Sequence, residues 1–200
     1  MLITPLAHVA RIGVCACSVL LSCSTALTQR SAEPSVELLG FTGPPDVVLE
    51  LACTPSGFET CFDAIDNNCN GAIDEGCGTH TGIVQFAIAW SDATADVDLD
   101  VTDASGSSTR NQTTTTDGFR KDRECPGPNG ACEGQNTENI YLSTNDMRRG
   151  TIRVVVRWKS PGDRPPPLLV RFSARVGQRS YSTVLEFNEV GSERLMTFDL

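Results

Sequence analysis

Between Asp66 and Asp74 the chain reads D-N-N-C-N-G-A-I-D, with oxygen-bearing side chains at the first, third, fifth and ninth places. An EF-hand-type calcium loop requires oxygen donors at positions 1, 3 and 5 and glycine at 6 for the sharp turn. It then takes a backbone carbonyl at 7, an aliphatic residue at 8 and an oxygen donor at 9. Asp66, Asn68, Asn70, Gly71, Ala72, Ile73 and Asp74 meet those requirements in order. Position 12, where a bidentate Glu is expected, holds Cys77, so Glu75 or water would have to supply the missing donor. The expected ligands are therefore Asp66, Asn68, Asn70, Ala72 through its carbonyl, Asp74 and Glu75. These are hard oxygens, which suit calcium and disfavour copper or zinc. Three carboxylates and two amides predict weak binding, on the order of 10⁻⁴–10⁻³ M. The alternative is a loop whose Asp and Asn residues form turns without a metal.

The loop lies within a cysteine frame. Cys53, Cys61, Cys69 and Cys77 recur at intervals of eight, and "CFDAIDNN" and "CNGAIDEG" share Cys and Ala-Ile-Asp at the same offsets, which makes Asp66 and Asp74 equivalent. The segment 53–78 has too few apolar side chains for a core of its own, so cross-links must hold it. Setting aside Cys15, Cys17 and Cys23 near the N-terminus leaves six cysteines, the remaining two being Cys125 and Cys132. An even number in an oxidising compartment implies three disulfides. If Cys125 pairs with Cys132 across "PGPNGA", the other four can pair in three ways, and their spacing does not choose.

That compartment is read from the first residues. Arg11 precedes the apolar run Ile12–Ser22, too short to span a bilayer but suited to the core of a signal peptide. The run ends in "VLLSC", which resembles a bacterial lipobox with Cys23 as the lipidated residue. A cut after Ser24-Thr25-Ala26 would instead release the chain. The expectation is an exported protein at the outer membrane or cell surface, with a signal peptide over 1–22 and a tether over 23–52. Within that tether "VVLEL" offers a short strand. A net charge of -9 disfavours nucleic acid, whose partners need a basic face.

Past the linker 79–81, residues 82–200 read as all-β. Short alternating runs at 82–90, 96–103, 139–143, 151–158, 167–176, 180–187 and 194–200 are separated by Gly, Pro, Asn and Asp clusters. About seven strands without a helical stripe predict an antiparallel β-sandwich or jelly roll. In "TIRVVVRW" the alternation puts Ile152, Val154, Val156 and Trp158 on one face. The polar stretch Ser105–Glu138 is expected to be a surface loop stapled by its cysteines.

Two resemblances follow from these residues. "ETCFDAIDNNCNGAIDEGC", Glu59 to Cys77, resembles the MopE-type metal-binding motif of bacterial surface proteins, whose usual form is C-x-G-x-D-N-D-C-D-G-x-x-D-E. Asn68 and Asn70 stand at its usual Asp places and Ala64 at its usual Gly, softer ligands that would lower affinity. The family label mentions copper, whereas these donors point to calcium. "WSDATADVDLDVTDASG", "DGFRKDREC" and "ENIYL" are similar to the YfaP-type β-sandwich domain of unknown function, which implies a sandwich over most of 82–200.

Asp96, Asp98 and Asp100 project from one face of a strand, where like charges repel unless a cation answers them. Asp96, Asp98, Asp122 and Glu138 are thus candidates for a second calcium site, the alternative being a solvated face balanced by nearby arginines. His80, the one histidine after the signal segment, sits in the linker with no G-x-S-x-G elbow, phosphate loop or dinucleotide fingerprint elsewhere. The chain is therefore expected to be non-catalytic: a calcium-stabilised envelope lipoprotein with a surface glycan or protein partner. The alternative is a secreted carbohydrate- or peptide-binding sandwich with Trp90, Trp158 or Tyr141 as a stacking platform and the acidic loop purely structural.

Overall fold

The computed structural model describes residues 36–51, 53, 55, 57–126, 132, 134–144 and 146–200. The signal segment 1–22, the lipidation expected at Cys23 and the first part of the tether lie outside the described residues.

Ten strands form two antiparallel sheets, with no helix among the described residues. They are β1 (Gly40–Thr42), β2 (Glu50–Leu51), β3 (Val84–Trp90), β4 (Asp96–Thr102), β5 (Arg120–Arg123), β6 (Thr137–Leu142), β7 (Thr151–Ser160), β8 (Leu168–Val176), β9 (Arg179–Phe187) and β10 (Glu193–Asp199). One sheet runs β1-β10-β7-β4 and the other β2-β9-β8-β3-β6-β5. All seven strands read from alternation are present. Of the tether, residues 36–51 belong to the sandwich, because β1 pairs with β10 and β2 with β9. Inside the polar stretch, Arg120–Arg123 forms the edge strand β5 against β6.

The core fills the space between the sheets. In β7 Ile152, Val154, Val156 and Trp158 are all buried, as the alternation requires, and Val97, Leu99 and Val101 do the same in β4. Phe86 of one sheet meets Phe198 of the other with ring centroids 5.0 Å apart, and Phe172 lies 6.3 Å from Phe86. Burying each such side chain contributes roughly 1.5–3 kcal/mol, so this layer dominates the stability.

Strand β3 is buried on both faces. Its inner residues Val84, Phe86, Ile88 and Trp90 join the core, whereas Ala87 and Ala89 on the outer face pack against Ala64 and Ile73 of the cysteine-rich segment. Small side chains on β3, together with Ser173, Ser180 and Ser182 on β8 and β9, leave room for that segment to sit directly on the sheet. Gln85 fixes it there: its Nε2 donates to the Ile73 carbonyl at 2.9 Å, and its Oε1 accepts from the Ile73 amide at 3.4 Å. The Ser173 hydroxyl donates to the Ala64 carbonyl.

Candidate metal centre

The cysteine-rich segment is closed by Cys53–Cys69 and Cys61–Cys77, and Cys125–Cys132 closes the distant loop. Of the three pairings open for the first four cysteines, the structure has the one linking alternate members. Cys69 lies between Asn68 and Asn70, so one cross-link is anchored inside the expected ligand ring. The path is tight: Phe62, Ala64, Cys69 and Asp74 all have positive φ, at 65°, 55°, 65° and 53°. Each costs an L-residue about 1–2 kcal/mol, a strain that cross-links can hold. Ala64 occupies the left-handed region that glycine adopts without cost.

The first half of the expected ring is closed by short-range bonds. Asp66 is buried; its Oδ1 accepts from the Asn70 amide at 3.1 Å, and its Oδ2 accepts from the Gly71 amide at 2.8 Å. Asn68 Oδ1 accepts from the Asn70 amide at 3.0 Å and Asn70 Oδ1 from the Ala72 amide at 2.8 Å. Gly71 is required twice over: its φ is +86°, and a Cβ there would lie 2.9 Å from the Gln178 carbonyl oxygen.

The head groups then converge. Asn68 Nδ2 and Asn70 Nδ2 both point at Glu75 Oε1, the latter at 2.5 Å. The other oxygen, Glu75 Oε2, is buried with no hydrogen-bond partner. An orphaned carboxylate oxygen beside two crowded amides is unfavourable by itself. The Asn68 and Asn70 amide oxygens face the loop's own backbone amides, and each keeps a second lone pair with which it could meet a cation. Asp66, Asn68, Asn70 and Glu75 are thus the residues that could hold a hard divalent cation, which takes oxygen donors.

Asp74 does not join them. Its Oδ1 and Oδ2 accept from the backbone amides of Asp63 and Ala64, at 3.3 and 3.2 Å, and its carbonyl accepts from the Thr79 hydroxyl at 2.8 Å. Burial, reinforced by the Asp63 carboxylate, raises its pKa to about 6. Asp74 is a pillar of the tight path, its carboxylate committed elsewhere than to the ring. Ala72 lies within the ring's span, with its amide bound to Asn70.

Sequence reasoning passed over Glu59, which lies outside the register. Its Oε1 accepts from the Asp74 amide at 2.9 Å and its Oε2 from the Asn67 amide at 3.1 Å, so one carboxylate ties the two eight-residue copies together. Burial, with the nearby Glu75 charge, raises its pKa to about 7. Asp63 has a comparable local role: its Oδ1 accepts from the Ile65 amide at 2.9 Å.

Of the four residues of the expected second site, Asp98 and Glu138 are brought together, whereas Asp96 and Asp122 are bonded elsewhere. Asp96 and Asp98 face Lys159 Nζ at 3.1 and 3.3 Å, and Arg157 lies 3.9 Å from Asp98. Asp122 faces outward and holds His80: its Oδ2 accepts from the His80 amide at 2.8 Å, and its Oδ1 lies 2.5 Å from Nδ1 of the ring. That ring stacks on Tyr141, with centroids 5.3 Å apart. Glu138 is fully buried and caps the open edge of β4, its Oε2 accepting from the Leu99 amide at 2.7 Å. Asp98, Glu124 and Glu138 bring one oxygen each within 4.8 Å of one another. Lys121 Nζ is already there, 2.7 Å from Glu124 and 3.7 Å from Glu138. The chain's own ammonium and guanidinium groups answer these acids. Burial pushes the Glu138 carboxyl well above the usual carboxylate range, opposed by Lys121.

The three aromatics expected as a stacking platform are buried: Trp158 at 1 %, Trp90 at 6 % and Tyr141 at 8 % exposure. The Trp90 and Trp158 indole N–H groups are satisfied by the Ala95 and Ser160 carbonyls.

Fold and loop together define an all-β sandwich carrying a disulfide-bonded metal-binding segment. Residues 52–75 match the family model named Cu-binding MopE, whose description is "Putative metal-binding motif". No curated protein and no solved structure matches the chain. The donors present fit a hard cation and do not fit copper, since the ring contains no imidazole and its cysteines are locked in disulfides.

Proposed function

We propose that this chain is a non-catalytic protein of the bacterial cell envelope whose stapled loop takes up calcium to rigidify a surface module. Calcium would be held by Asp66, Asn68, Asn70 and Glu75, with backbone oxygen or water completing its shell. The observation that carries this reading is the convergence of the Asn68 and Asn70 amides on Glu75, whose second oxygen is buried and unpartnered. The ion supplies charge neutralisation and a fixed centre; it performs no chemistry on a substrate.

Export, lipidation at Cys23 and adhesion to a surface glycan or protein belong to the same reading. They are supported by the apolar N-terminal run, the "VLLSC" match and the three disulfides, which suit an oxidising compartment.

The test is thermal melting of the oxidised protein against calcium, magnesium and copper. With a dissociation constant near 1 mM, about 10 mM calcium stabilises the folded form by about 1.4 kcal/mol, a rise of roughly 3–6 °C. Magnesium, which demands stricter octahedral geometry, should give a smaller rise. No rise with calcium, or a larger one with copper, would sink the reading.

A further inference from the structure

Across the outer face of the six-stranded sheet, Gln85, Arg175 and Ser180 lie in one row, paired from strand to strand. Both ends of the row grip the loop. Gln85 holds the Ile73 backbone, and the Ser180 hydroxyl donates to Asp66 Oδ2 at 2.9 Å. Arg175 stands between them, half-buried beneath the loop, with its Nε donating to the Gly177 carbonyl at 3.0 Å. None of the ion pairs among the described residues includes Arg175. Burial disfavours its charge, and the anionic groups that oppose this are Asp66 and Glu75. Those are the two carboxylates of the convergent ring.

A guanidinium in this place, clasping neither acid, acts through space on both. It is always charged, so its influence does not depend on pH. We propose that Arg175 is a built-in competitor for the cation, partly neutralising Asp66 and Glu75 before an ion arrives and opposing the ion when it does. The inference rests on the calcium reading and adds a regulator to it. The sheet, through one residue distant in sequence, sets the concentration at which the loop fills. A loop tuned in this way responds to the millimolar calcium outside a cell and ignores trace amounts.

Calorimetric titration of calcium chloride into the full, oxidised chain tests this with four proteins: wild type, Arg175→Gln, Arg175→Lys and Arg171→Gln. A unit charge acting on a divalent ion over several ångströms in high dielectric is worth roughly tenfold in affinity. Arg175→Gln should therefore bind about tenfold more tightly than wild type, while melting at a lower temperature in EDTA. A merely structural role cannot move the two readouts in opposite senses. Arg175→Lys should stay within about twofold, because the charge is kept. Arg171→Gln removes the same charge from the same face four residues earlier, about 13 Å along the strand, and should also stay within about twofold. Arg175→Met, which keeps the apolar stem, replaces the glutamine variant if that one fails to fold. Equal affinity in wild type and Arg175→Gln, or equal tightening by Arg171→Gln, overturns the inference while leaving calcium binding intact. Absence of uptake by all the proteins overturns both.

Discussion

The Ser180 hydroxyl donates to Asp66 Oδ2 at 2.9 Å in a buried contact between residues 114 positions apart. It joins the start of the ligand ring to β9, so the ring's first carboxylate is positioned by the sandwich as well as by its own loop. The same oxygen accepts from the Gly71 amide, and Oδ1 is held by Asn70. Asp66 is therefore oriented before any ion arrives.

Ser180→Ala removes one bond to a buried carboxylate, and hydrogen bonds to charged groups contribute about 1.5–3 kcal/mol. The expected outcome is a lower melting temperature in EDTA, with the denaturant slope unchanged and a weaker calcium affinity. Urea melts in EDTA and in calcium check it. Wild-type stability in the variant would mean that the loop orients Asp66 unaided.

Glu75→Gln separates holding an ion from holding the fold. In the wild-type protein without metal, the Glu75 charge adds to burial in raising Glu59. Removing that charge should leave stability in EDTA equal to or slightly above wild type. With calcium, the same variant should lose the rise in melting temperature, since a neutral amide is a poorer donor to a hard ion. Thermal melts with and without calcium read both signs, and a retained calcium shift would assign the ion to other oxygens.

What could be read in the chain followed the range of the interactions. Strand β7 was legible because Ile152, Val154, Val156 and Trp158 alternate without interruption. Asp66, Asn68, Asn70 and Gly71 were legible because their contacts close within five residues. The bonding of Asp74 was not legible because its partners, the Asp63 and Ala64 amides, come round through a turn of left-handed residues that no spacing rule encodes. Strand β5 was hidden because Lys121, at an inward position, breaks the expected alternation in order to meet Glu138. The aspartates of β4 were legible as a charged face, but their partners Arg157 and Lys159 are fixed by the β4–β7 register, which composition does not carry. His80 and Asp122 meet across 42 residues for the same reason.

Lys121 and Glu138 form a buried pair at the open edge between the sheets, 3.7 Å apart. Lys121→Met leaves Glu138 without its compensating charge, a change that typically costs 3–5 kcal/mol, or about that here. Because burial raises the Glu138 pKa, the carboxyl takes up a proton readily once Lys121 is gone. A proton bound more tightly in the folded than in the unfolded state stabilises as pH falls, so the deficit should shrink from neutral pH toward the ordinary carboxylate range. The double variant Lys121→Met/Glu138→Gln keeps an acceptor for the Leu99 amide and should regain most of the loss at pH 7. Melts across pH decide it; a deficit independent of pH would mean that packing, not charge, is what Lys121 supplies.

Asp92 gives the opposite pH dependence. Burial alone would raise its pKa, but the Arg164 amide at 2.9 Å and the Thr94 hydroxyl at 2.8 Å outweigh that and bring it from 3.8 to about 2. A folded pKa below the unfolded one stabilises the protein above the unfolded value, and that contribution is lost as pH falls through the folded value. Asp92 should therefore support the β3–β4 and β7–β8 turns fully above about pH 4 and lose that effect toward pH 2. Asp92→Asn should lower the melting temperature at pH 7 and flatten its fall between pH 4 and 2. Gly162→Ala tests the same contact sterically, since a Cβ there would stand 2.2 Å from Asp92 Oδ2 and force the carboxylate off its donors. It should reproduce the flattened acid limb, and a steep limb retained in both variants would assign acid sensitivity to another carboxylate.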